Sequence, residues 1–352
     1  MNLATSSISG RTTPDAPTFQ VTGLTATSAT LATAPTGLAV GDEVVLIAMR
    51  GGRSGTTLFT ANVGNWELLR VQAISGSTVT LGSSLKRTYG QTSNTDLTNR
   101  VVVLSRVPQY NDLTIGGTGV LTTRTFQPAL RPATNTINAS IGGVLFARVA
   151  GTLTVQTGGR IDVSALGYRG GAHGVLSDQD SQQGEGLAGF GPEGLTGASG
   201  YNSTTTIWQA NSGGGGSHIT GGGGGYGSAG TDGASWDGGG AQPPRAGGVY
   251  GSTTLSLLLP GGGGGAVWNG GATCHTPGPG GNGGGILALF VRTATINGEL
   301  RSLGQAAAHG ANGSWAYGGA GGAGGSLWLS AESLNIAGRV LATGGAGLNP
   351  SI

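Results

Sequence analysis

Hydrophobic and polar residues alternate in short bursts along the first 141 positions. Phe19-Gln20-Val21 begins one strand, and residues 31–34 belong to the next. Asp42-Glu43-Val44-Val45-Leu46-Ile47 leaves a Gly-Asp turn as a third strand. Residues 66–74 and Val79-Thr80-Leu81 flank Ser75-Gly76-Ser77, a hairpin pattern. Residues 101–104, Leu113-Thr114-Ile115 and Val120-Leu121-Thr122 continue the series, and no segment carries a helical period. Short strands joined by Gly/Ser/Asn turns predict an all-β unit of β-sandwich or jelly-roll type over residues 1–141.

From residue 142 the pattern becomes a repeat. Gly142-Gly143 leads into residues 144–148, then Leu153-Thr154-Val155, then Gly159 and Arg160-Ile161-Asp162-Val163. Gly284-Gly285 leads in the same way to residues 286–290, Ala294-Thr295-Ile296, Gly298 and Glu299-Leu300-Arg301. Gly324-Gly325 leads to residues 327–330, Leu334-Asn335-Ile336, Gly338 and Arg339-Val340-Leu341. Three copies of one template predict duplicated β units, each with one buried face, over residues 142–352.

Glycine fills the spaces between the copies. Residues 213–216, 221–225 and 261–265 are unbroken runs, and elsewhere, as over 191–200, 278–284 and 318–324, glycine recurs every third position. A threefold extended helix has no internal hydrogen bonds, so its amides pair sideways with neighbouring rods or with water. Collagen is a poor fit, because the period lasts only a few triplets and the chain has 13 prolines. Glycine supplies 75 of 352 residues, and each one held in regular structure costs about 0.5–1 kcal/mol relative to alanine. Hydrophobic residues still reach 37% and the net charge is +2, which predicts a folded chain rather than a disordered one.

Charged residues make up 9% of the chain, and Lys86 is its single lysine, which argues against nucleic acid as a partner. One cysteine, Cys274, excludes an internal disulfide framework. No apolar run is long enough to span a membrane, and no basic-then-apolar secretory leader opens the sequence. His173, His218, His275 and His309 lack metal-ligand spacing, and Gly-x-Gly-x-x-Gly strings arise by chance at this glycine content. Asp178-Gln179-Asp180 with Glu185 only loosely matches a calcium loop. No catalytic residue, cofactor or metal is expected. Aromatics punctuate the glycine tracts instead. Tyr201, Trp208, Tyr226, Trp236, Trp268, Trp315 and Tyr317 are the candidate contacts to a receptor or glycan, whereas Trp328 lies in a strand and belongs to the core.

Several motifs together resemble a family of bacterial glycine-rich surface proteins common among myxobacteria. They are the residue 144–155 strand pair, Gly167-Tyr168-Arg169-Gly170-Gly171, Gln183-Gly184-Glu185-Gly186, residues 221–227, Val249-Tyr250-Gly251, residues 257–265 and residues 325–330. Residues 40–47 and Arg106-Val107-Pro108-Gln109-Tyr110 are similar to the same family. The family brings no defined activity. The tract is more distantly similar to the glycine-rich extracellular region of the anaplastic lymphoma kinase receptor group, which implies a bundle of polyglycine-II helices inserted into a β framework. It is also similar in composition to the polyglycine tip adhesins of phages.

The function expected from these readings is a non-enzymatic virion-surface or tail-fibre protein that presents loops for host attachment. Its expected partners are a cell-surface receptor or glycan, other virion or surface-structure proteins, and further copies of itself. Its expected place is the virion, the cell surface or the extracellular space. The alternative is a self-assembling structural component of a bacterial surface, filament or matrix.

Overall fold

The computed structural model describes residues 1–54, 57–126, 141–172, 183–189, 213–214, 222–233, 246–267, 278–308 and 318–347. Every regular element among them is a strand. The first eight are β1 (Thr18–Leu24), β2 (Ser28–Leu31), β3 (Glu43–Arg50), β4 (Gly52–Ser54), β5 (Thr57–Phe59), β6 (Trp66–Ser75), β7 (Thr78–Leu81) and β8 (Val101–Arg106). Six of them close a barrel in the order β1-β2-β7-β6-β3-β8, entirely antiparallel, with β4 and β5 as a separate hairpin. The sandwich expected here is therefore a closed barrel. The reason is β1, which pairs with β2 along one edge and β8 along the other and so leaves no open sheet to stack.

The unbroken apolar run of β3 has a physical cause. Val44, Leu46 and Ala48 point into the barrel, while Val45, Ile47 and Met49 point outward into a second core. In β8, Val102 and Leu104 face inward and Val101 and Val103 face outward. A strand covered on both faces loses the apolar–polar alternation of a surface strand.

The remaining elements are β9 (Gln109–Tyr110), β10 (Leu113–Ile115), β11 (Val120–Leu121), β12 (Val144–Val155), β13 (Arg160–Asp162), β14 (Ile286–Ile296), β15 (Glu299–Arg301), β16 (Leu327–Ile336) and β17 (Arg339–Leu341). They form two parallel ladders, β10-β12-β14-β16 with β9 beside β12, and β11-β13-β15-β17. Each sequence repeat is one rung of this solenoid, and a shorter rung precedes the three, made of Leu113-Thr114-Ile115 and Val120-Leu121. Register stacks like on like: Leu113, Leu153, Ala294 and Leu334 form one column, and Ile115, Val155, Ile296 and Ile336 another. Leu121, Ile161, Leu300 and Val340 form a third, on the second ladder. The first three members of each column fill the core between the ladders, while Leu334, Ile336 and Val340 on the last rung are exposed.

The opposite face of the longer ladder meets the barrel. Phe146, Ile286 and Ala288 pack with Val45, Ile47 and Met49, joined at the margin by Trp66, Phe290 and Trp328. Trp66 lies edge-on to Trp328 at 5.4 Å between ring centroids and tilted against Phe146 at 5.7 Å, which places Trp328 with the core as its sequence context indicates.

The glycine tracts pack beside the rungs and bond to one another through their backbones. Gly261 and Gly264 donate to the carbonyls of Gly284 and Gly281, Gly262 and Gly265 to those of Gly225 and Gly222, and Gly263 to that of Glu185. Gly281 and Gly284 donate to Ala320 and Ala323, while Gly280 and Gly283 donate to Gly171 and Tyr168. Along each tract the same neighbour recurs every third residue. Side chains have no room between these rods. A Cβ on Gly170 would lie 1.8 Å from the Gly280 carbonyl oxygen, and one on Gly283 would lie 1.9 Å from that of Gly261.

Candidate functional site

Tract ends converge at one end of the glycine bundle. Gly265 donates to Gly222, Ala320 to Gly265, Val267 to Gly278, and Gly214 to Gly263. Gly171 donates to Gly264 and receives from Gly280. Residues 172, 214, 222, 267, 278 and 318 are the described positions next to segments 173–182, 215–221, 268–277 and 309–317. Backbone hydrogen bonding thus gathers the roots of segments that carry Trp268, Trp315 and Tyr317. Those three residues, with Tyr201, Trp208 and Trp236, lie outside the described residues, as do the four histidines, Cys274 and the Asp178–Asp180 acidic pair.

Tyr226 is the one predicted contact residue within the described structure. Its ring stands edge-on to Tyr250 at 5.2 Å. Ser326 Oγ donates to the Leu259 carbonyl at 2.8 Å and accepts from the Leu259 amide at 3.0 Å, so the Tyr226 hydroxyl donates to Ser326. Burial raises the Tyr226 phenol pKa above its ordinary value. Ser326→Ala leaves three buried polar groups short of a partner and is expected to lower stability by about 2 kcal/mol, read from urea unfolding.

Beneath the gathered tract ends lies a buried charge cluster that pattern reading passes over. Glu185 is fully buried and pairs with Arg50 at the end of β3 and with Arg169, whose Nε lies 3.3 Å away. It also accepts the Arg169 amide at 3.1 Å. Burial pushes the carboxyl pKa up, but the two guanidiniums and their hydrogen bonds outweigh burial and hold it below its ordinary value. This engagement also accounts for Glu185 without the calcium reading, since both its oxygens already face cations. Tyr168 completes the joint by donating from its hydroxyl to the Met49 carbonyl at 2.6 Å. Two of its parts, Tyr168-Arg169 and Glu185, lie in glycine-rich motifs visible in the sequence, but nothing in either motif indicates that they meet or that Arg50 joins them.

Among the described residues, no group of three or more His, Cys, Asp or Glu side chains is placed to hold a metal. No helix among them is long and apolar enough to cross a membrane. A groove of about 990 Å³ runs along the far side of the last rung, walled by Gly223–Gly224, Tyr226, Asp232, Gly319–Gly325 and Thr343–Gly345.

No family model and no curated protein matches the sequence. Solved structures that align with part of it include phage tailspikes. The tailspike protein gp49 from Pseudomonas phage LKA1 aligns at 17% identity over 42% of this chain and 22% of its own, with a TM-score of 0.19. The Gp54 tailspike of Acinetobacter baumannii bacteriophage AP22, solved in complex with A. baumannii capsular saccharide, aligns at 18% identity over 41% and 22%, with a TM-score of 0.19. The Pseudomonas phage phi297 tailspike gp61 aligns at 19% over 42% and 21%, also at 0.19. The aligned part spans about a fifth of each tailspike. At that TM-score the likeness carries no argument about this chain.

Proposed function

We propose that this chain is a non-enzymatic attachment protein of a virion surface or tail fibre, and that its glycine tracts are polyglycine-II helices forming a stiff mount for aromatic-bearing loops that bind a cell-surface glycan. The period-three hydrogen bonding between tracts is the observation that carries this reading. A threefold helix that donates in three directions ties each rod to several others, which fixes the spacing of whatever its ends hold. Loops rooted on such a block lose little further freedom on binding, and aromatic rings on them suit the apolar faces of sugars. Several weak contacts displayed together add up through avidity.

Adsorption of the purified full chain to candidate host cells, and to their extracted polysaccharides, tests the proposal. Trp268→Ala combined with Trp315→Ala is expected to weaken binding at least about tenfold, a change of 1.4 kcal/mol, with the unfolding midpoint unmoved. Binding that survives the double substitution rules out these loops as the contact. Release of reducing ends from the polysaccharide identifies a glycan-degrading enzyme instead.

A further inference from the structure

A threefold rod bonds outward in three donor and three acceptor directions, so a fully enclosed one touches six neighbours. Among the described residues, the tract at 318–325 touches five. Ala320 and Ala323 donate to Gly265 and Gly262, and Gly322 and Gly325 donate to Gln305 and Ser302. Ala320 and Ala323 accept from Gly281 and Gly284, Gly321 accepts from Gly224, and Gly322 accepts from Gly345. The third donor direction belongs to the Gly321 and Gly324 amides, and neither meets an acceptor among the described residues. Both glycines are buried. Buried amides without a partner are rare in folded proteins, because each forfeits about 1–3 kcal/mol of hydration.

The groove of about 990 Å³ runs along this same tract. Gly319–Gly325 form its floor, and two of the five neighbours, Gly223–Gly224 and Thr343–Gly345, form its sides. The two amides repeat along it at about 9 Å, one turn of a threefold helix. The rest of the wall is made of side chains: Tyr226, Leu255, Leu327 and Val340. The partly exposed Tyr226 ring is held in place by its edge-on contact with Tyr250 and its hydrogen bond to Ser326. Asp232, which accepts the Ala246 amide at 2.7 Å, is the one charged residue along the groove among the described residues.

A ligand lying here accepts hydrogen bonds at a regular interval on one side and lays apolar surface on an aromatic ring and aliphatic side chains on the other. A further glycine rod meets only the first condition. Inner rods touch backbone to backbone, as where a Cβ on Gly321 would lie 2.1 Å from the Gly345 oxygen, whereas half of this wall is side chain. An anionic polymer would face Asp232 with no lysine or arginine along the groove to offset it. Sugar rings meet both conditions, since their hydroxyls accept and donate while their C–H faces suit an aromatic ring. We propose that the groove binds a neutral saccharide chain along its length, with the Gly321 and Gly324 amides donating to its hydroxyls and the Tyr226 ring against a sugar face. This site rests on the glycan reading given above but uses none of the loop aromatics named there.

The probes are maltohexaose, cellohexaose and chitohexaose, with oligogalacturonate as the acidic comparison, each titrated into the full chain. Saturable binding of at least one neutral probe is expected. The Gly321 and Gly324 amides should exchange rapidly in the chain alone and slow at least about tenfold in the complex. Gly227→Leu with Gly347→Leu narrows the groove without strain, because both glycines line it, neither has a positive φ, and a Cβ on either meets nothing within 4 Å. That pair should weaken binding at least about tenfold with the unfolding midpoint unchanged, while Trp268→Ala with Trp315→Ala leaves oligosaccharide binding at the groove intact. Binding of no neutral probe, preference for the acidic one, or binding indifferent to the leucine pair overturns the proposal. Protection of the two amides in the chain alone overturns it too, since the chain's own residues would then fill the groove. A peptide copying residues 318–326 that protects them where the sugars do not reassigns the groove to polypeptide. Host-cell adsorption lost in the tryptophan pair but unchanged in the leucine pair sinks this site alone and leaves the attachment role standing.

Discussion

Gly263→Ala is expected to lower the unfolding free energy by about 3 kcal/mol, at the upper end of overpacking costs. The added methyl would sit 1.8 Å from the Arg169 carbonyl oxygen and 2.4 Å from its carbon, so one backbone must move. That carbonyl accepts the Glu185 amide at 2.8 Å, and Gly263 donates to Glu185 at 3.0 Å, so moving it disturbs two rods and the charge cluster together. Gly347→Ala is the matched control. Its φ is ordinary and its surroundings are open, so alanine there leaves stability unchanged or raises it by about 0.4–1 kcal/mol through a less flexible unfolded chain. Denaturant titration of the two variants side by side reads the contrast. Equal effects would show that close rod packing does not set the stability of this fold.

Glu185→Gln is expected to cost about 3–5 kcal/mol, because it keeps the shape but removes the buried negative charge that faces the Arg50 and Arg169 guanidiniums. Arg50 belongs to β3 and Glu185 to the tract side, so the loss falls on the joint between barrel and bundle. The same carboxylate predicts acid sensitivity. Its folded pKa lies below the ordinary 4.5, so its contribution is complete above that value and is lost as pH falls through the lower folded value. Unfolding free energies measured across the acid range should fall more gently for Glu185→Gln than for the parent chain. Buried pairs are weakly screened, so added salt should leave the difference in place at neutral pH. A parent and variant with parallel acid profiles would remove Glu185 from the account.

Much of this architecture is legible in the residues because local pattern and long-range pairing agree. The Leu-x-Val, Ala-x-Ile and Leu-x-Ile triplets before Gly159, Gly298 and Gly338 mark the rungs, since parallel in-register stacking demands apolar residues at matching positions. The opening rung is written in the same code, Leu113-Thr114-Ile115, a Gly-rich turn, then Val120-Leu121. Its lack of a leading Gly-Gly and long strand makes it look like part of the N-terminal series. Barrel closure is not legible, because whether β1 meets one neighbour or two depends on twist and stagger over the whole sheet. The Arg50–Glu185 contact joins residues 135 apart, and nothing local to either announces the other. Tyr226 lines the groove and bonds to Ser326, a dual placement that no spacing rule foretells.

The ladder register also sets an order of assembly. Leu287 pairs with Leu327, but Val144 must find Ile286, across a stretch of chain more than three times as long. Closing the longer loop costs about 1 kcal/mol more in chain entropy, before the ordering of the tracts that run through it. The last two rungs are therefore the natural nucleus, and the first full rung joins afterwards, drawing the barrel with it through the outward face of β3. A chain emerging from its N-terminus would hold a finished barrel with its sticky outer face bare until the final rungs arrive.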